Sequence, residues 1–179
     1  MNLPAANHLP STPAFLVELQ RRIVGLRWQN QPAFERVEIF SLVNLQAALA
    51  SLIMNQARIC VVVYAGDDFS FERRGMDLHV TAKHSVVCLI SDESLQEPLV
   101  SHLGDSTTPG VHELQRLVLG VVCGNLLPNP HGAFCVPLNS SSLVIAQDGA
   151  AMPGRAALEL DLEITGGEIL TRIGAGPIL

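Results

Sequence analysis

Residues 76–90 read MDLHVTAKHSVVCLI. Met76, Leu78, Val80, Ala82, Val86, Cys88 and Ile90 share one parity, and Asp77, His79, Thr81, Lys83 and Ser85 share the other. Strand side chains alternate between faces with a period of two, so this reads as a strand with one apolar and one polar face. His84 breaks the pattern by falling on the apolar side. At about 3.3 Å per residue the stretch spans roughly 50 Å. That is long for a core strand, so it is expected to protrude or to bend.

Upstream, Arg58–Tyr64 reads RICVVVY, a β-branched run that suits a central strand buried on both faces. Between the two strands lies Gly66–Gly75, GDDFSFERRG. Its adjacent acids Asp67 and Asp68 and adjacent arginines Arg73 and Arg74 read as a polar loop or hairpin tip. These four residues are candidates for ion pairs between subunits, since the planar guanidinium matches a carboxylate; a solvated tip is the plain alternative. Earlier still, Asn44 opens a helix to about Ala57, with Leu45, Ala48, Leu49, Leu52 and Ile53 at helical spacing. It holds no charged residue, so it is expected to be covered on both sides. Val37–Phe40 is a short strand and Gln29–Arg36 a loop. Thr12 caps a first helix with Pro13 in its first turn; Phe15, Leu16, Leu19, Ile23 and Leu26 form its apolar stripe. Residues 1–11 form a flexible arm.

Downstream, Ser91–Thr108 reads as a polar connection, and Thr108 and Pro109 start a third helix with Leu114, Leu117, Val118, Val121 and Val122 on one face. Gly120 and Gly124 lie a turn apart on a neighbouring face, which suggests close packing against another backbone. Asn125 and Pro128 end this helix. Ala133–Leu138 and Ser142–Gln147 read as a hairpin joined by Asn139–Ser141, with Pro137 at an edge. Ala156–Thr165 is a second clean strand: Leu158, Leu160, Leu162 and Ile164 point inward, Glu159, Asp161 and Glu163 outward. Residues 166–179 are Gly-rich yet carry Ile169, Leu170, Ile173, Ile178 and Leu179, an apolar tail expected to dock on the body or on a neighbouring copy. The expected fold is α+β, with a mostly antiparallel sheet flanked by about three helices, in one domain over residues 12–165.

Only 16% of the 179 residues are charged while 48% are apolar, and the net charge is −6. An ordinary domain carries about 25% charged residues. Scarce surface charge implies that other molecules cover part of the exterior, and copies of the same chain are the simplest cover. The acidic balance argues against specific nucleic-acid binding, which needs surplus Lys and Arg. No apolar run of about 18 residues suggests a membrane span, and the start lacks the pattern of a signal peptide. A cytoplasmic location is expected. The four cysteines contain no C-x-x-C and read as reduced core residues.

Candidate chemistry is sparse. Glu159, Asp161 and Glu163 offer oxygens for a hard cation, but residues i and i+4 on a strand lie about 13 Å apart, so a solvated face is preferred. His84 reads as a general base or pH-sensitive group, as a core histidine with a hydrogen-bond partner, or as the mark of a bulge that shifts the register. Cys123, His131 and Cys135, with His112 upstream, match no zinc pattern. Ser101, His102 and Asp105 have the residue types of a hydrolase without its motif. No cofactor, metal or catalytic group is assigned.

The phrases RICVVVYAGDD, MDLHVTAKHSVVCLISDES, HELQRLVLGVVCGNLLP and RAALELDLEI, in this element order, resemble phage tail-terminator and neck proteins, including the Mu-like tail protein families. The likeness covers residues 12–165. It implies a small α+β domain that closes into a ring, caps a tail tube and joins it to the head. Tail-tube and neck proteins would be its partners, and the virion its destination. An acidic channel would pass DNA without holding it. The resemblance brings no catalytic motif and does not account for the tail after Thr165. The leading expectation is therefore a structural, ring-forming protein. The alternative is a small-molecule-binding or regulatory α+β domain acting as a dimer, with a closed apolar pocket near His84 and Cys88. A hydrolase using Cys or Ser with His ranks third.

Overall fold

The computed structural model describes residues 12–41, 58–74, 77–93, 98–127, 133–143, 146–147, 150–151, 154–165 and 169–172. The expected arm 1–11 and the expected helix 44–57 lie outside these residues. Three helices are described: α1 (Thr12–Val24), α2 (Pro98–Leu103) and α3 (Gly110–Val122). The strands are β1 (Arg27–Trp28), β2 (Gln31–Pro32), β3 (Arg36–Ser41), β4 (Ile59–Arg74), β5 (Asp77–Glu93), β6 (Gly124–Leu127), β7 (Ala133–Leu143), β8 (Ala146–Gln147), β9 (Ala150–Ala151), β10 (Arg155–Thr165) and β11 (Ile169–Arg172).

The main sheet has the order β3-β4-β5-β10-β7-β6, with β11 also paired to β5. The α+β class holds, but the sheet is mixed: one described pair is parallel and the others are antiparallel. β3 runs parallel to β4, with Arg36 beside Ile59 and Ser41 beside Tyr64. Parallel neighbours need a connection of a dozen or more residues. Residues 42–58 supply that length.

One face of the sheet builds the larger core. Phe15, Leu19 and Ile23 of α1 and Leu114, Val118 and Val122 of α3 pack on Cys60, Val62, Val86, Cys88, Ile90, Leu158, Leu160, Leu162 and Ile164. Burying one such aliphatic side chain stabilises by about 1.5–3 kcal/mol. On the opposite face Ile59, Val61, Val63 and Leu89 are buried in a second cluster, so β4 is apolar on both sides here, as its β-branched run requires. Arg22 ties the two helices together. Its guanidinium donates to the carbonyls of Val121, Asn125 and Leu126, which end α3 and follow it. These carbonyls lack helical partners, and a cation suits that end of the helix dipole.

Several expected boundaries move. GDDFSFERRG is no loop through Arg74, because β4 continues to Arg74 and stays paired with β5. Phe69 and Phe71 alternate with Asp68, Ser70 and Glu72, a period of two hidden by the polar composition. The expected loop 29–36 holds the turn and second strand of the small hairpin β1–β2, turned by Gln29 and Asn30 at positive φ, the backbone of a two-residue type I′ turn. The expected connection 91–108 begins with the last residues of β5 and holds α2. Gly124 is not on the third helix. It opens β6 at φ +91°, a backbone that favours glycine, and among the described residues nothing crowds the space beside Gly120 or Gly124.

The expected hairpin after Ala133 is one strand. Asn139, Ser140 and Ser141 pair with Asp161, Leu160 and Glu159, and a bulge at Leu138 absorbs the register shift. β6 pairs only with Ala133–Cys135, so Pro137 sits where β7 has a free edge among the described residues. Part of the expected tail belongs to the sheet: Ile169–Arg172 pairs with Val80–Asp77 of β5.

Candidate functional site

β4 and β5 pair along their whole lengths, from Ile59 opposite Ser91 to Arg74 opposite Asp77. From Ile59 to Tyr64 the hairpin lies inside the sheet. Beyond that, Gly66 sits at φ +132° and the register slips by one residue. A bulge with glycine at positive φ bends a strand and increases its twist. The outer half then runs from Asp67 opposite His84 to Arg74 opposite Asp77. The described pairing with β3 ends with Ser41 opposite Tyr64, so β4 has no partner on its other edge from Gly66 onward among the described residues. On this arm Phe69 is 60% exposed and Phe71 76% exposed.

A buried ion-pair partner marks the foot of the arm. His84 is buried, its Nδ1 hydrogen-bonds the Asp67 carboxylate, and its ring lies 4.6 Å from the Phe15 ring. Its Nε2 has no partner among the described residues. Of these readings, the core histidine with a hydrogen-bond partner is the one this geometry matches, and the register slip lies across the ladder on β4, between Tyr64 and Gly66. The exception to the parity pattern is therefore placed at the junction, where the body's apolar face meets the acids of the arm. On the other face Lys83 Nζ donates to Glu163 at 3.1 Å.

The four expected ion-pair residues are brought onto one strand, with Asp67 and Asp68 near the foot of the arm and Arg73 and Arg74 near its end. Asp67 is engaged by His84 within the chain. The carboxylate row Glu159, Asp161 and Glu163 is half-buried on β10, opposite Leu89, Val87 and Ser85 of β5. Among the described residues no group of three His, Cys, Asp or Glu could hold a metal ion. His131 lies outside the described residues. Burial pushes the Cys135 thiol up to about 12, far from the thiolate a metal or nucleophilic role needs. Ser101 is buried, and Asp105 Oδ1 accepts from the backbone N–H groups of Thr107 and Thr108 and from the Thr107 hydroxyl. That carboxylate is occupied in closing its own loop.

Phe15 packs on His84, and Cys88 lies in the core cluster. An open cleft of about 340 Å³ lies between Arg21, Arg22, Gly25, Leu26 and Val121. No described helix is long and apolar enough to cross a membrane.

One polar feature carried no signal in the sequence. Asp92, at the inner end of β5, is buried, and its carboxylate accepts from the backbone N–H groups of Glu93 and Gly110. It thus caps α3 from 18 residues away. Burial pushes its acid up to about 6, against the pull of those two hydrogen bonds. Beside it Glu93 pairs with buried Arg155. Local spacing finds only caps within a turn of the helix, so this one was invisible.

No protein-family model matches the chain, and no curated protein matches it.

Proposed function

We propose that this chain is a structural protein that works by associating with its own copies, of the ring-forming kind that terminates or joins phage-like tails. The observation that carries the reading is the outer half of the β4–β5 hairpin. It presents two exposed phenylalanines on a strand whose second edge is unpaired among the described residues. An unpaired strand edge is a template for pairing with another chain, and the charges on this one, Asp67, Asp68, Arg73 and Arg74, are of both signs and so can meet their complements on a partner. The sparse charge of the whole sequence supports the same reading. The proposal assigns no catalytic step and no cofactor. Copies of itself are the first partner; tail-tube or neck proteins would be the second.

Light scattering during size-exclusion chromatography, followed by negative-stain electron microscopy of the peak, tests it. The expected result is an oligomer at micromolar concentration with closed rings in the images. A single mass of one chain, unchanged from micromolar to near-millimolar concentration, overturns it.

A further inference from the structure

The proposed self-association leaves open which edge meets which. We infer that the outer edge of β4 pairs antiparallel with the same edge of a second copy, centred on Phe71. This rests on the reading that the chain self-associates, and it adds the contact and its register.

The argument starts from the free edge. From Gly66 to Arg74 the backbone of β4 is paired with β5 alone among the described residues. The far edge of β5 is covered by β11 over Asp77–Val80, so on this arm the outer edge of β4 is the one left open, among the described residues, to take a further strand. The order of residues on the edge then selects the partner. Asp67 and Asp68 stand at one end, Arg73 and Arg74 at the other, and Phe69 and Phe71 between them. A strand that is acidic at one end and basic at the other is complementary to itself when turned end for end. No other described strand carries two adjacent acids and two adjacent arginines.

Symmetry narrows the register. A two-fold axis perpendicular to a sheet keeps each face on its own side, so every residue must lie opposite one of the same parity. Centring on Ser70 would place Asp68 opposite Glu72 of the second copy, and like charges directly opposite destabilise. Centring on Glu72 or Arg73 opposes a charge to itself. Centring on Phe69 brings no acid opposite an arginine. Centring on Phe71 places Asp68 opposite Arg74, Phe69 opposite Arg73 and Ser70 opposite Glu72, with Phe71 meeting its own copy. This register gives two acid–arginine positions, two aromatic–arginine positions suited to a cation–π contact, and no like-charge opposition. A two-fold contact is used up after two copies. It therefore joins chains in pairs, and ring closure requires a second, head-to-tail surface.

Cysteine cross-linking tests the contact in the full-length protein. Phe71→Cys puts two thiols directly opposite, within disulfide reach; Ser70→Cys does not. On mild oxidation Phe71→Cys is expected to run as a covalent pair on a non-reducing gel, at least tenfold more than Ser70→Cys or the unaltered chain. Charge reversal gives an independent arm. Asp68→Arg alone and Arg74→Asp alone are each expected to raise the dissociation constant of the pair at least tenfold. Mixing the two variants restores pairing, because the reversed positions face each other across the axis. Circular dichroism of each variant checks that the fold is kept. Preferential linkage through position 70, or failure of the mixture to recover, overturns this contact while a still-oligomeric chain leaves self-association standing. A monomeric unaltered chain overturns both.

Discussion

From Ile59 to Val63 strand β4 is buried on both faces, with β3 on one edge and β5 on the other. From Gly66 to Arg74 the same strand keeps only β5, and two phenylalanines stand in solvent. The backbone pairing with β5 runs through both halves, so hydrogen bonding does not distinguish them. The difference lies in what the side chains meet. Inside, each apolar side chain loses its water and contributes about 1.5–3 kcal/mol. Outside, a ladder hydrogen bond exchanges for bonds to water and nets only about 0.5–1.5 kcal/mol. One strand thus passes from an element held by burial to an arm held by pairing, and the bulge at Gly66 with the Asp67–His84 pair marks the crossing.

The sharpest way to break this comparison is to empty the inner half. Ile90→Ala removes a fully buried side chain opposite Cys60 and is expected to cost about 2–5 kcal/mol in urea unfolding. A loss under about 1 kcal/mol would mean that the inner half is not held by packing.

A second test uses pH at the inner end of β5. Asp92 is pushed up to about 6 when folded, above its ordinary value of 3.8. A folded value above the unfolded one means the native state binds the proton more tightly. The stability from this group is therefore fully present below about pH 4 and lost as pH rises through about 6. A shift of about two units corresponds to roughly 3 kcal/mol. The difference between the pH profiles of the unaltered chain and Asp92→Asn should fall over that window. A flat difference would show that the carboxylate is not held in a buried setting.

At the crossing, Asp67→Ala leaves the buried His84 ring with neither nitrogen bonded, at an expected cost of about 1–3 kcal/mol. Asp67→Asn keeps an acceptor and should cost less. Equal losses from the two variants would mean that the hydrogen bond does not hold the junction.

The inner half was legible in the sequence and the outer half was not, for a physical reason. RICVVVY and the alternation from Met76 to Ile90 report burial directly, because burial selects apolar side chains. Likewise Leu158, Leu160, Leu162 and Ile164 announced β10, and all four are buried. An exposed arm places no such demand, so Asp67, Asp68, Arg73 and Arg74 looked like a turn although they sit on a strand. The parallel pairing of β3 with β4, the cap from Asp92 to Gly110 and the docking of Ile169–Arg172 beside β5 join residues distant in sequence. No local period encodes them. His84 was singled out correctly as an exception, but only the register showed that its partner is Asp67.

The smallest expected effect is the most telling. Phe71 is three-quarters exposed and faces Val80 across the ladder, so it buries little area within one chain. Phe71→Thr keeps a residue suited to strands and should change the unfolding free energy by less than about 0.5 kcal/mol, as for an ordinary surface site. Self-association should nevertheless weaken, since an aromatic side chain at the centre of a contact is where binding energy concentrates. Measuring urea unfolding of the dilute chain beside sedimentation of the concentrated chain separates the two quantities. A stability loss above about 1 kcal/mol with unchanged sedimentation would place Phe71 against its own body, and the arm would then be part of the core rather than a surface offered to a neighbour.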